Sequence, residues 1–186
     1  MNGVLEAAAE VCAFMEARGW AFCIIGGLAV QHWGEPRTTL DADFALLTGW
    51  GDEEPYVIEL LASFESRIED AHAFALANRV LLLRSAQGYP VDIALGALPF
   101  EEAMVARAVT APFAPKYTLR CCTAEDLLIM KAFAGRARDW LDVEGIVARQ
   151  CTLDAKYIIG QLTPLCEMRE DRDTILRVKA LLGAES

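Results

Sequence analysis

The stretch AFCIIGGLAVQHWG, residues 21–34, constrains the fold more than any other part of this chain. A five-residue apolar run meets two adjacent glycines and then resumes a helix-like pattern. AFCII reads as a short buried strand, and GGLAVQHWG as a turn entering a short helix that ends near Gly34. A Gly-Gly pair at a strand-to-helix turn lets backbone N–H groups approach an anion, and the helix N-terminus adds favourable potential. The same pair is equally at home in a tight turn that binds nothing.

The next segment brings carboxylates. EPRTTL is irregular, since Pro36 keeps Glu35 extended, and DADFALLT reads as a second strand. Residues two apart in a strand share a face, so Asp41 and Asp43 present adjacent carboxylates. Like charges so close are costly unless a cation or a shared proton offsets them. Magnesium accepts such oxygens together with substrate phosphates and water. A third carboxylate, Asp92, interrupts the apolar run PVDIAL, where an unpaired buried charge is expensive. It is either a surface residue of an edge strand or a third ligand brought beside Asp41 and Asp43 by strand pairing. Three converging acids at a phosphate-binding turn suit two-metal phosphoryl or nucleotidyl transfer.

Around these motifs, NGVLEAAAEVCAFMEARGW is expected as an amphipathic helix burying Val4, Leu5, Ala8, Val11, Cys12 and Met15, with Gly19 as its stop. EPYVIELLASFES is expected as a helix with Pro55 in its first turn. Two β-rich runs around Gly88 predict a hairpin. PFEEAMVARA reads as a helix and VTAPFAPKYTLRC as an extended, proline-interrupted stretch ending in a strand. From Thr123, whose Thr-x-x-Asp spacing resembles a capping box, the pattern becomes continuously helical. The expected organisation is a mixed α/β core over residues 1–122 and a helical region over residues 123–186.

Charge follows the same division. Residues 1–130 carry 8 basic and 18 acidic side chains, whereas residues 131–186 carry 9 of each. Phosphate contacts by Lys and Arg supply most of the affinity for long polyanions, so the net charge of −10 disfavours RNA and suits a cation-collecting site. The six cysteines form no C-x-x-C pair and lie apart from His32 and His72, so buried reduced thiols are expected rather than a zinc site or disulfides. Core packing or groove lining is the expectation for the four tryptophans. The start lacks a secretory signal, and the apolar run Trp20 to Val30 is too short to span a bilayer, so a cytoplasmic protein without a membrane partner is expected.

The order Gly26-Gly27, Gly34-x-x-Arg37-x-Thr39-x-Asp41-x-Asp43 and an isolated strand aspartate at Asp92 resembles the nucleotidyltransferase superfamily that includes DNA polymerase β. The match is closest to the aminoglycoside nucleotidyltransferases and to the AbiEii-like and MenT-like toxin nucleotidyltransferases. Lys131, followed by Ala-Gly-Arg-x-Arg-Asp-x-x-Asp, looks like the helical segment after the catalytic core in many of these proteins. The resemblance implies a small mixed sheet flanked by helices. It implies a transferase in which Asp41, Asp43 and Asp92 hold two Mg²⁺ ions, or Mn²⁺, against an NTP such as ATP. Gly26 and Gly27 would then donate N–H groups to the triphosphate, with Arg37, Thr39 and Lys131 as further nucleotide contacts. A small-molecule or protein acceptor is weakly favoured over RNA. One departure is that many members carry Gly-Ser at the first motif, whereas Leu28 follows Gly26-Gly27 here. A weak or inactive component of a toxin–antitoxin pair, acting through a protein partner, is the alternative. Arg37 is expected on Asp41 or on a phosphate, and Asp139 and Asp142 as helix-surface partners of Arg136 and Arg138.

Overall fold

A computed structural model describes residues 2–184. The chain divides into two compact units, one of residues 1–28 and 38–122, the other of residues 29–37 and 123–186.

The first unit is built on a mixed sheet, seven-stranded among the described residues. Its strands are β1 (Phe22–Ile24), β2 (Ala42–Leu47), β3 (Glu65–Ser66), β4 (Val80–Arg84), β5 (Pro90–Gly96), β6 (Val109–Ala114) and β7 (Tyr117–Cys121), in the order β3-β4-β5-β2-β1-β7-β6. The pairs β2–β5 and β1–β7 are parallel and the others antiparallel. Registered neighbours share a face. Phe44 pairs with Ile93 and Leu46 with Leu95, while Leu81 and Leu83 lie opposite Ile93 and Val91. These residues are all buried and form one apolar layer. The expected first helix, α1 (Asn2–Glu16), packs against β2, β5 and β7 and buries all six of its anticipated core residues.

Helix α2 (Gly26–Trp33) begins at the first glycine of the pair. Helix α3 (Glu54–Ser63) carries Pro55 in its first turn, and α5 (Pro99–Arg107) packs against β2. Helix α4 (Ala71–Asn78) lies in a segment with no strong sequence signal, and left-handed residues, Asp70 and Arg79, bracket it. The stretch VTAPFAPKYTLRC is more ordered than expected, because it folds into the antiparallel pair β6–β7. Pro112 is accommodated because β6 is an edge strand, where a missing N–H leaves no ladder bond unmade.

The second unit holds α6 (Ala124–Ala134), α7 (Ala137–Arg149), α8 (Ala155–Glu167) and α9 (Arg172–Leu182). Thr123 caps α6 by accepting the Asp126 N–H at 3.2 Å, as its spacing suggests. Asp126 is fully buried, yet satisfied by the hydroxyls of Thr123 at 2.7 Å and Tyr157 at 2.6 Å. Residues 29–37 join the helices of this unit through the Gln150 side-chain amide, which donates to the Trp33 carbonyl at 2.6 Å, while inside the segment the Gln31 amide donates to the Arg37 carbonyl at 2.8 Å.

Two compositional expectations need correction. Five cysteines are buried thiols, but Cys151 is exposed. Trp50 is 65% exposed instead of packed, its ring lying 4.3 Å from the Arg79 guanidinium carbon. Among the described residues, no helix is long and apolar enough to cross a membrane.

The apolar layer supplies a first test. Ile93→Ala should destabilise the chain by about 3 kcal/mol in urea unfolding, through lost transfer energy and an unfilled cavity. Leu40→Ala, at a residue 74% exposed, should stay within about 0.5 kcal/mol of wild type. Equal effects at the two positions would contradict the assigned layer.

Candidate metal and nucleotide site

The parallel register of β2 and β5 sets Asp43 directly beside Asp92. Asp41 stands one residue ahead of β2, not inside it. Ligand oxygens of Asp41, Asp43 and Asp92 all lie within 4.8 Å of one another. Asp92 is thus not on an edge strand: β5 lies inside the sheet, and strand pairing brings Asp92 beside Asp41 and Asp43. Their side chains leave the sheet on the face opposite the apolar layer, and all three are half-buried.

Each carboxylate has a partner of a different kind. The Thr39 hydroxyl donates to Asp41 Oδ1 at 2.9 Å. The Gly27 N–H, in the first turn of α2, donates to Asp43 Oδ2 at 3.1 Å. Arg67 Nη2 donates to Asp92 Oδ1. Burial pushes the Asp92 carboxyl above its ordinary value and the Asp41 charge adds to that, while Arg67 acts in the opposite direction. Half-buried carboxylates this close, arranged on a rigid sheet, form a donor set suited to a hard divalent cation, which would relieve their mutual repulsion.

The glycine pair is sterically required. Gly26 adopts φ +61°, and a Cβ there would fall 1.9 Å from Asp43 Oδ2. A Cβ on Gly27 would fall 2.1 Å from Thr39 Oγ1. The Thr39 hydroxyl therefore fills the space where a residue-27 side chain would begin.

Arg37 and Lys131 are both engaged within the second unit. Arg37 makes a bidentate pair with Asp142, at 2.8 and 3.0 Å. Lys131 Nζ lies 3.0 Å from Asp142 Oδ2 and 3.1 Å from Asp139 Oδ1. Arg136 pairs with Asp139 at 2.5 Å, as helical spacing suggests. The expectation of surface aspartates is otherwise wrong, since Asp139 and Asp142 are 2% and 4% exposed. Burial alone would raise both carboxyls, but hydrogen bonds from Arg136 and Lys131 hold Asp139 below the ordinary value, and those from Arg37 and Lys131 do the same for Asp142.

Sequence reasoning missed Arg67. It follows the two-residue strand β3, and its N–H donates to the Leu82 carbonyl at 3.0 Å, while Leu82 pairs with Asp92. No local motif marks it; the β4–β5 register would have been needed.

The architecture is that of nucleotidyltransferase-like proteins, with three acids converging beside a Gly-Gly helix start. An antigenic nucleotidyltransferase-like protein from Paracoccidioides brasiliensis is 16% identical, with a TM-score of 0.58, over 97% of this chain and 96% of that one. The antibiotic-resistance factor ANT(2'')-Ia is also 16% identical, with a TM-score of 0.54, over 91% of this chain and 94% of that one. No protein-family model and no curated protein sequence matches the chain.

Two outcomes follow from this packing. Gly27→Ser should lower the melting temperature by several degrees, roughly the effect of 1–3 kcal/mol of overpacking. Thr39→Ala added to Gly27→Ser should recover part of that loss, and an unchanged melting temperature in the single variant would refute the clash. The second concerns pH. Asp142 binds protons more weakly in the folded chain, so its stabilisation is complete above about pH 4 and lost as pH falls through the folded value. Asp142→Asn should therefore cost about 3 kcal/mol at pH 7, because Arg37 and Lys131 lose a buried carboxylate they share, and progressively less below pH 4. A gap that stays constant from pH 7 to pH 3 in urea titrations would contradict that assignment.

Proposed function

We propose that this chain is a Mg²⁺-dependent nucleotidyltransferase moving an NMP group from an NTP, such as ATP, to a hydroxyl of a small molecule. The observation carrying this reading is the convergence of Asp41, Asp43 and Asp92 on one patch of sheet at the start of α2, within a nucleotidyltransferase-like fold. When bound there, divalent ions supply charge neutralisation for both the attacking and the leaving oxygen.

The chain's own residues do the rest. Asp41 and Asp43 hold their carboxylates at fixed separation, braced by the Thr39 hydroxyl and the Gly27 N–H. The first turn of α2 adds positive potential for phosphate oxygens, while its Gly27 N–H is held by Asp43 and the space over both glycines is taken by the Asp43 and Thr39 side chains. Asp92 accepts the proton of the acceptor hydroxyl as that oxygen attacks the α-phosphorus. The bond from the α-phosphorus to the bridging oxygen breaks, and pyrophosphate leaves with its electron pair. Catalysis by such a site is mainly positioning and electrostatics. Arg37 and Lys131 are both held by the buried carboxylates Asp142 and Asp139, which Arg136 also shares, and this reading does not depend on them as phosphate ligands. A net charge of −10 favours a neutral or cationic acceptor over RNA. The likeness to an antibiotic-resistance factor supports a small-molecule acceptor.

Calorimetric titration of ATP with and without Mg²⁺ tests the nucleotide site. Binding should require the metal and vanish in Asp41→Ala and in Asp43→Ala. Pyrophosphate release with a panel of polyhydroxylated amines should fall about 10²–10⁴-fold in Asp92→Asn. Metal-independent ATP binding that survives both substitutions would overturn the reading.

A further inference from the structure

We infer that Arg67 is a resident counter-cation of the site, competing with one of the two metal ions and making its entry depend on an arriving anion. This deepens the proposed function and rests on it.

Three carboxylates this close need charge or hydrogen bonds to balance them. Thr39 and Gly27 offer Asp41 and Asp43 neutral donors, which orient the acids without removing charge. Arg67 brings a full positive charge to Asp92 Oδ1. A guanidinium on that oxygen and a divalent ion ligated by the same carboxylate repel each other across a few ångströms. In a half-buried setting that repulsion weakens the ion's hold on the shared carboxylate.

Arg67 is also placed to be displaced. Its N–H is fixed to the Leu82 carbonyl, on the strand position that pairs with Asp92, so the backbone aims the side chain across two strands at the carboxylate. The side chain is 23% exposed, leaving it room to withdraw toward solvent. Its Nε is buried and has no hydrogen-bond partner. A guanidinium with one donor unsatisfied gives up less on leaving than a fully bonded one.

Net charge sets the order of events. Three carboxylates offset one divalent ion and Arg67 without an anion. A second divalent ion beside Arg67 leaves an excess of positive charge, which a triphosphate removes. Arg67 thereby keeps the Asp92 side of the site from filling before nucleotide arrives, and the emerging phosphate charge gives the guanidinium a new partner.

The experiment uses Mn²⁺ alone as the probe, with bound ion counted by electron paramagnetic resonance on the full chain. Wild type should bind one Mn²⁺ tightly and a second at least tenfold more weakly. Arg67→Gln should tighten the second site tenfold or more, whereas Arg67→Lys, which keeps the charge, should stay near wild type. In wild-type protein labelled with ¹⁵N-arginine, the Arg67 Nε–H resonance should shift with occupancy of the second site and not the first, a readout that needs no variant to fold. Matching two-site isotherms for wild type and Arg67→Gln, or an Arg67 signal unmoved at full occupancy, would overturn the inference while leaving the metal site intact. Absence of any Mn²⁺ binding to wild type would overturn both this inference and the proposed function.

Discussion

Everything distinctive about this molecule depends on the parallel pairing of β2 and β5. That pairing sets Asp43 beside Asp92 and, by the same register, Phe44 beside Ile93 and Leu46 beside Leu95. One set of contacts therefore does two jobs on opposite faces. The apolar face fixes the register, because a one-residue slip would turn every buried side chain toward the wrong side. The polar face inherits that fixed register, and the carboxylates are held together by hydrophobic packing that never touches them. Repulsion among the acids is carried by the core on the far side of the sheet.

Local pattern made much of this legible. The α1 stripe, the hairpin around Gly88, the Pro55 and Thr123 helix starts and the D-x-D spacing are encoded within a few residues of one another, where periodicity and capping speak directly. Asp92 could be flagged from its apolar neighbours, although its convergence with Asp41 and Asp43 needed the strand pairing. The misses are pairings between distant residues or elements without a periodic stripe. Arg67 reaches Asp92 across 25 positions and Arg37 reaches Asp142 across 105, and neither spacing has a local signature. Asp139 and Asp142 read as surface residues because a charged i, i+3 pattern looks the same whether water or another cation balances it. Helix α4 was silent because its alanine-rich sequence has no polar face to give a period and its ends are set by left-handed residues rather than by side-chain caps.

The two units handle charge in opposite ways. In the helical unit, Asp139 and Asp142 are nearly sealed from water and carry cations that pull their acidity up, so the network holds together without help. In the sheet unit, the acids are half-buried and Asp92 is pushed the other way. Two buried carboxylates shared among three cations form a structural fastening. A carboxylate cluster with mostly neutral braces remains an attractive place for further positive charge. The difference separates the acids that fasten the helical unit from the acids that could hold a cation.

The fit of the Thr39 hydroxyl into the space above Gly27 bears on how such a sequence can change over time. Residues 27 and 39 lie on either side of a helix and an irregular segment, yet sterically they are one locus with two spellings. A lineage could exchange glycine plus threonine for serine plus a smaller residue, but the first change in one order produces a crowded intermediate. The other order passes through a loosened Asp41. Residues 27 and 39 thus constrain each other directly: a side chain at 27 requires the Thr39 hydroxyl to move or to be absent.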